Sequence, residues 1–128
     1  MDRRLRPAAA FAALLLVTSL VPVPDSGGQA VPAILGVALD KWVHAGSYAL
    51  LTGLVVWGRD RRDLLAVGAV AVLVVGYGAG IELLQALVPT RDLSLLDAVA
   101  NTVGALAVGL ALAVVDPAPL RKRWHSKE

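Results

Sequence analysis

Long apolar runs, separated by short charged segments, are the dominant pattern of this chain. Each is long enough, or nearly so, to cross the roughly 30 Å hydrocarbon core of a bilayer as a helix at about 1.5 Å per residue. The runs are continuous and rich in Ala, Leu and Val, so strands are not expected in them. The pattern predicts an all-α fold, a transmembrane bundle of four helices in one domain, 1–128. The expected spans are about 7–23, 42–58, 64–88 and 94–115.

Composition agrees with this interpretation. Hydrophobic residues make up 57% of the chain and charged residues 17%, whereas soluble domains average about 45–50% and about 25%. These values exclude a disordered chain and an ordinary soluble domain. Cysteine is absent, which excludes disulfides, thiolate metal ligands and cysteine nucleophiles. The formal net charge of +2 is too small to indicate a nucleic-acid partner.

The distribution of basic residues predicts the orientation of the chain. Of the 12 Lys and Arg residues, all but Lys41 and Arg91 lie before the first run, between the second and third runs, or after the fourth. Cytoplasmic segments of membrane proteins carry the excess of positive charge. We therefore expect a multi-pass protein of the cell membrane, with N- and C-termini in the cytoplasm and a basic cytoplasmic tail at 116–128.

The N-terminal run has an alternative interpretation as a signal peptide. MDRRLR precedes the run, and Gly28 and Ala30 are spaced like a cleavage site. Cleavage there would leave three spans. The prolines between Leu20 and Asp25, and the distance to Ala30, favour a retained anchor.

Polar residues inside the last three runs recur at helical spacing, so each set lies on one helix face. From the outer ends of the helices, their polar side chains lie about 4–11 Å deep, with Arg91 in the short turn above them. The inner halves of the same helices are almost entirely apolar. The sequence thus predicts a polar pocket that opens to the extracytoplasmic side. The sets are Lys41, His44, Tyr48 and Thr52; Gly78, Glu82 and Gln85; and Asp97, Asn101 and Gly104.

Glycines are expected to bring these helices together. A glycine has no Cβ, so a neighbouring backbone can approach it closely. Gly76 and Gly80 form a GxxxG pair of the kind that favours helix contact. We expect close contacts at Gly76, Gly78, Gly80 and Gly104.

Charged groups within the spans indicate function, because each costs at least about 2.5 kcal/mol at the centre of a bilayer. Glu82 lies two helical turns inside the third span, where a carboxylate is not expected to cap a helix end. Together with His44 it forms the candidate catalytic acid/base pair. The candidate ligand-binding residues are Asp40, Lys41, Tyr48, Gln85, Arg91, Asp97 and Asn101.

The predicted pocket carries an excess of negative charge. Two cations, Lys41 and Arg91, face four carboxylates. Buried carboxylates without partners normally take up a proton. Three states are therefore open: Glu82 is neutral, His44 is protonated, or a cation is bound. The four carboxylates are Asp40, Glu82, Asp92 and Asp97.

Structural roles compete with these functional ones. Asp40 is placed to cap the second helix, and Ser94 with Asp97 matches the capping box of the fourth. Lys41 can simply extend to the membrane interface. Interhelical hydrogen bonding or packing would account for Gln85, Asn101 and Tyr48.

Two familiar kinds of catalytic centre are not expected. His44, Glu82 and Asp97 make a poor metal site on sequence grounds, since the pocket has one histidine and no cysteine. Ser47 lies one turn from His44, but the motif and the third partner of a serine hydrolase are missing. We expect neither a metal nor another cofactor.

Two segments carry a recognisable motif. They are DKWVHAGSYALLTGL (40–54) and GIELLQALVPTRDLSLLDAVANTVGA (80–105), and they resemble the VanZ-like family of small integral membrane proteins. The family pattern is D-K-x-x-H-x-x-x-Y, then E-x-x-Q, then R-x-x-x-x-x-D-x-x-x-N followed by Gly. VTSLVPVPD (17–25) is also similar to the family. The matching positions are Asp40, Lys41, His44, Tyr48, Glu82, Gln85, Arg91, Asp97, Asn101 and Gly104.

The resemblance implies a membrane protein of the cell envelope. The family is named for a protein associated with low-level resistance to teicoplanin, a glycopeptide that bears an acyl chain. A teicoplanin-resistance type of antibiotic resistance is therefore the function that the resemblance implies.

Three functions are compatible with these features. The one we favour is binding of a lipid-linked or envelope-associated ligand, such as a lipid phosphate, a glycan headgroup or a lipoglycopeptide. The alternative is a membrane enzyme that acts by acid/base chemistry on a lipid-linked phosphate or glycan. In the third, the polar layer only locks the bundle. The expected partners are membrane lipids and a lipid-linked or glycopeptide ligand, with no nucleic acid.

Overall fold

Four helices account for most of the chain in the computed structural model, which describes residues 2–22, 24 and 30–115. The helices are α1 (Arg6–Leu20), α2 (Leu39–Arg59), α3 (Leu64–Gln85) and α4 (Leu95–Val114). A 3-10 turn, Arg3–Leu5, precedes α1. The expected basic tail at 116–128 and Gly28 of the expected cleavage site lie outside the described residues. The all-α fold class expected from the sequence is confirmed.

The helix ends follow local chemistry. Asp63 caps α3 by accepting a hydrogen bond from the backbone N–H of Ala66. α2 ends at Arg59, and the next residue, Asp60, has a φ of 53°, the left-handed conformation common at helix C-termini. α3 ends at Gln85, a few residues short of the predicted 88, in a series of tight turns that surrounds Pro89.

A small β-hairpin precedes α2, in a segment where the sequence indicated no regular structure. Strand β1 (Ala33–Ile34) pairs antiparallel with β2 (Val37–Ala38). The turn between them needs positive φ at both of its residues, which are Leu35 and Gly36. The indole N–H of Trp42 donates to the backbone oxygen of Ile34 at 3.2 Å, which ties the hairpin to α2.

The helices alternate in direction, and α2 and α4 form a parallel pair. Lys41 contacts Asp97 at the start of both helices, and Gly53 faces Val108 further along. α1 and α3 run the opposite way. The shared core lies between the helices and consists of Tyr48, Leu51, Val56, Val67, Val70, Val74 and Ala105.

The expectation of close contacts at all four glycines is partly wrong. A Cβ added to Gly76 or Gly80 would meet no described atom within 4 Å, so this GxxxG pair faces away from the other helices. At Gly104, an added Cβ would collide with the backbone of Ala45 on α2. At Gly78, it would lie 2.7 Å from the ring of Tyr48. Helix rotation decides which glycines face a neighbour, and a sequence pattern on one helix does not define that rotation.

Two helices, α3 and α4, are long and apolar enough to cross a membrane, instead of the four expected. α1 has 15 residues, which corresponds to only about 22 Å. α2 is long enough, but polar residues such as His44, Ser47 and Thr52 make it less apolar than α3 and α4. In the most apolar window of α3 33% of the residues are buried, and in that of α4 22% are. Most residues in these windows are therefore not buried within the bundle.

Candidate functional site

Five polar side chains meet where the first turns of α2 and α4 pack against the end of α3. Two of them are almost completely buried: Glu82 is 4% exposed and Asn101 is 2% exposed. The others are partly buried. This polar cluster is made of Lys41, His44, Glu82, Asp97 and Asn101.

Lys41 joins two carboxylates. Its Nζ donates to Oδ2 of Asp40 at 2.6 Å and to Oδ1 of Asp97. The Asp97 side chain is mostly buried, whereas that of Asp40 is half exposed. Asp40 does not cap α2, because Ala38 holds the capping position and makes no side-chain cap bond there. The ammonium group of Lys41 is thus paired with carboxylates inside the cluster.

His44 bridges α2 and α4. Its Nδ1 lies 3.0 Å from Oδ1 of Asn101. Its Nε2 lies 3.7 Å from Oδ2 of Asp97. One ring nitrogen therefore faces an amide and the other faces a carboxylate, and the Asn101 amide fixes the orientation of the ring.

Glu82 has one satisfied carboxylate oxygen and one unsatisfied oxygen. Oε2 accepts from the backbone N–H of Ser94 at 3.2 Å, at the start of α4. Oε1 has no hydrogen-bond partner in the described part of the chain, and neither does Nδ2 of Asn101. Burial of unpartnered polar atoms is costly and requires an explanation.

The expectation that no helix cap needs Glu82 is wrong. The Ser94 hydroxyl accepts from the N–H of Asp97 at 3.2 Å, which is half of the predicted capping box. In a complete capping box the Asp97 side chain would accept a hydrogen bond from the Ser94 N–H. Here the carboxylate of Glu82 accepts that hydrogen bond instead. Asp97 is thereby left to face Lys41 and His44.

Arg91 and Gln85 bind the end of α1. Nε and Nη2 of Arg91 donate to the backbone oxygen of Val21 at 3.1 and 3.0 Å. Nε2 of Gln85 donates to the backbone oxygen of Ser19 at 3.1 Å. Cationic and amide donors commonly satisfy the last carbonyls of a helix in this way. Both residues act across helices in this structure, and their role as ligand-binding residues stays a prediction.

Tyr48 packs its ring into the groove left by Gly78, so α2 and α3 approach closely just below the cluster. The residue is 3% exposed. An added Cβ on Gly78 would lie 3.3 Å from the Tyr48 hydroxyl. This contact agrees with a packing role for the ring.

A cavity of about 230 Å³ adjoins the cluster on the side of α1. Its polar walls come from α1, α2, α3 and the turn after α3. Thr18, Ser19 and Ser47 were not singled out as candidate binding residues from the sequence, and only their position near the outer ends of apolar runs could have indicated them. The polar lining residues are Thr18, Ser19, His44, Ser47, Tyr48, Gln85 and Arg91.

An apolar groove of about 430 Å³ lies on the opposite side, between α2 and α4. Lys41 lines it next to the polar cluster, and Trp42 and Val103 lie among its apolar walls. The cluster therefore separates a polar cavity from an apolar groove. His44 borders the first and Lys41 borders the second.

Three members of the cluster have the geometry to share a metal ion. His44, Glu82 and Asp97 each offer a ligand atom, and these atoms lie within 4.8 Å of one another.

Comparison of the chain with protein-family models, curated proteins and solved structures finds no match.

Proposed function

We propose that this chain is a multi-pass protein of the cell membrane, with all four helices crossing or entering the bilayer and both termini in the cytoplasm. The apolar exposed faces of α3 and α4 support this proposal, because lipid is the solvent that such faces fit. They include Leu64, Leu65, Val72, Leu73, Leu83, Leu95, Leu96, Val103, Leu106, Leu110 and Val114.

The two ends of the bundle differ in charge, which supports the proposed orientation. Arg4 pairs with Asp60 across the start of α1 and the end of α2. Arg59, Arg61 and Arg62 lie at this same end. The polar cluster lies at the opposite end, which is the extracytoplasmic side if basic residues remain inside.

The function proposed for the cluster and its cavity is the binding of a lipid-linked or envelope-associated ligand from the outer side of the membrane. The observation that carries this proposal is that a polar cavity and an apolar groove both border the cluster, with His44 lining the first and Lys41 the second. A ligand with a polar headgroup and a hydrocarbon chain matches both. Small-molecule sites typically combine apolar walls with a few placed polar groups in this way.

The motif resemblance supports the same proposal. Every motif residue of the VanZ-like pattern is present in the chain, and the resemblance points to teicoplanin resistance as a physiological role. Five of the motif residues form the polar cluster, and three more, Tyr48, Gln85 and Arg91, line the cavity. A resistance function would follow if the pocket held a lipoglycopeptide or shielded its target.

The test uses a host strain that lacks the protein and expresses variants at matched membrane levels. Ser47→Phe fills the cavity, and Leu50→Phe is the matched control on an exposed position one turn away. We expect wild type and Leu50→Phe to co-purify with a lipid-linked species and to lower teicoplanin sensitivity. We expect Ser47→Phe to do neither. Equal behaviour of the two phenylalanine variants would contradict a binding role for the cavity.

One observation favours the alternative, a membrane enzyme. Oε1 of Glu82 is buried without a partner beside His44, as expected of an acid/base pair that awaits a substrate. Lipid extracts from cells with wild type and with Glu82→Gln distinguish the two functions. A lipid-linked species that changes only with wild type would establish the enzyme. Unchanged lipids, together with resistance that depends on Glu82, would establish binding alone.

A further inference from the structure

We propose that His44, Glu82 and Asp97 form a binding site for a divalent transition-metal ion, with Zn²⁺ as the ion that fits best. Three helices supply the ligands, one each from α2, α3 and α4, and the ligand atoms lie within 4.8 Å of one another. The proposal does not depend on the lipid-linked ligand proposed above. It also departs from the expectation drawn from the sequence, because the structure brings the buried carboxylate of Glu82 together with His44 and Asp97, which are partly buried.

The unpaired oxygen of Glu82 is the first argument. The residue is 4% exposed, and Oε1 has no partner among residues 2–22, 24 and 30–115. Protonation of Oε1 would remove the charge but would leave a buried O–H donor with no acceptor. A metal ion satisfies this oxygen and its charge together.

The orientation of His44 is the second argument. An amide oxygen can only accept a hydrogen bond, so the contact of Nδ1 with Oδ1 of Asn101 at 3.0 Å requires the proton on Nδ1. In the neutral ring, the lone pair lies on Nε2 and points toward Oδ2 of Asp97, 3.7 Å away. Metal-binding histidines usually show this arrangement, with the second ring nitrogen donating to a fixed oxygen.

The charge of the surroundings is the third argument. Among the residues that the structure describes, Lys41 is the one cation paired with the carboxylates of Asp40 and Asp97. With neutral His44, Asp40, Glu82 and Asp97 then leave two negative charges. A divalent ion cancels them. Of the two carboxylate oxygens of Asp97, Oδ1 pairs with Lys41 and Oδ2 faces His44.

Ligand type and spacing select the ion. In a tetrahedral zinc site, bonds of about 2.1 Å place ligand atoms about 3.4 Å apart, close to the 3.7 Å between His44 and Asp97. The Glu82 ligand atom lies within 4.8 Å of the other two, and the site requires its carboxylate to rotate toward them when the ion binds. A nitrogen ligand favours zinc over Mg²⁺ and Ca²⁺, which prefer oxygen alone. Three protein ligands leave one position open, and His44 also lines the polar cavity.

The experiment is a calorimetric titration of the full-length protein in detergent micelles, after chelator treatment, with Zn²⁺. We expect one ion per chain and an affinity at least 100-fold weaker in each of His44→Gln, Glu82→Gln and Asp97→Asn. Asp92→Asn removes an exposed carboxylate from the turn before α4 and serves as the matched control with wild-type affinity. Mg²⁺ is expected to bind far more weakly than Zn²⁺.

A second set of variants separates ligation from folding. Zn²⁺ should raise the thermal midpoint of wild type and of Ser47→Phe, and leave that of Glu82→Gln unchanged. Asn101→Leu should weaken zinc binding about 10–100-fold through the loss of the oxygen that orients His44, whereas Asn101→Asp should retain it. Zinc binding that survives both His44→Gln and Glu82→Gln, or Mg²⁺ binding as tight as that of Zn²⁺, would overturn the proposal.

Discussion

Helix α1 and the pair formed by α2 and α4 are held in the bundle in opposite ways. α2 and α4 touch backbone to backbone, with Gly104 against the carbonyl of Ala45. α1 is instead attached by side chains that reach its carbonyl oxygens, and cavities of about 350 and about 230 Å³ lie against it. The side chains that hold α1 are Tyr77, Gln85 and Arg91.

The α2–α4 pair therefore forms a fixed frame, and α1 is a helix attached to it. Backbone contact leaves no freedom for adjustment, because close-packed groups resist displacement. Hydrogen bonds at the ends of side chains, beside open volume, allow displacement at lower cost. We therefore expect the α2–α4 pair to hold the polar cluster in place and α1 to move when a ligand enters the cavity.

The largest expected effect comes from a side chain placed between α2 and α4. Gly104→Val should force the helices apart and lower the free energy of unfolding by about 3 kcal/mol or more. Gly76→Val is the control, because position 76 has open space around it. Thermal unfolding in micelles measures the effect. Similar midpoints for the two variants would remove the basis for calling this pair a fixed frame.

Release of the outer end of α1 should have the next largest effect. Arg91→Met removes the hydrogen bonds to Val21 and Thr18, at a cost of about 1–2 kcal/mol confined to α1. Because the chain has no cysteine, a thiol placed by Ser19→Cys would be the single site that reacts with maleimide. We expect faster labelling with Arg91→Met and no change with Arg61→Met, whose partner Asp63 lies at the opposite end.

A smaller effect is expected in the middle of α1. The Tyr77 hydroxyl donates to the backbone oxygen of Ala12 at 2.5 Å. Tyr77→Phe should lower stability by about 1 kcal/mol and increase amide exchange of α1 while leaving α4 unchanged. The control is Thr102→Val, because the Thr102 hydroxyl bonds within α4, to Ala98. Increased exchange throughout the bundle would show that α1 does not move separately.

The smallest effect concerns a cap outside the spans. The N–H of Ala66, and next the charge of Arg61, hold the pKa of Asp63 below its usual 3.8. A depressed pKa adds stability that is complete above about pH 4 and is lost as the pH falls through the folded-state pKa. Asp63→Asn keeps a capping side chain but removes this dependence. Unfolding midpoints of both proteins between about pH 2 and 5 should therefore converge at the acidic end.

Much of the fold could be predicted because helical periodicity is a local property. The spacing of Lys41 and His44 placed both on one face, and the structure has them there, beside Asp97. The all-α class follows from the same apolar runs. The functional roles assigned to these residues stay predictions.

Contacts that depend on helix rotation could not be predicted. Gly80 and Gly104 look alike in the sequence, but only Gly104 faces a neighbouring backbone. The bond from Ser94 to Glu82 joins two helices through a turn whose path the sequence does not define. Likewise, the position of Arg91 near the outer turn was expected, but its partners on α1 were not.

The parallel direction of α2 and α4 has an electrostatic consequence. A helix carries the equivalent of about half a positive charge at its N-terminus, and here two such N-termini lie side by side. Asp40 and Asp97 both lie in these first turns. The two helix ends together thus contribute the equivalent of roughly one positive charge close to these carboxylates. An antiparallel pair would place a helix C-terminus beside a helix N-terminus and cancel this effect, so the parallel direction of α2 and α4 gives Asp40 and Asp97 two favourable helix ends in place of one.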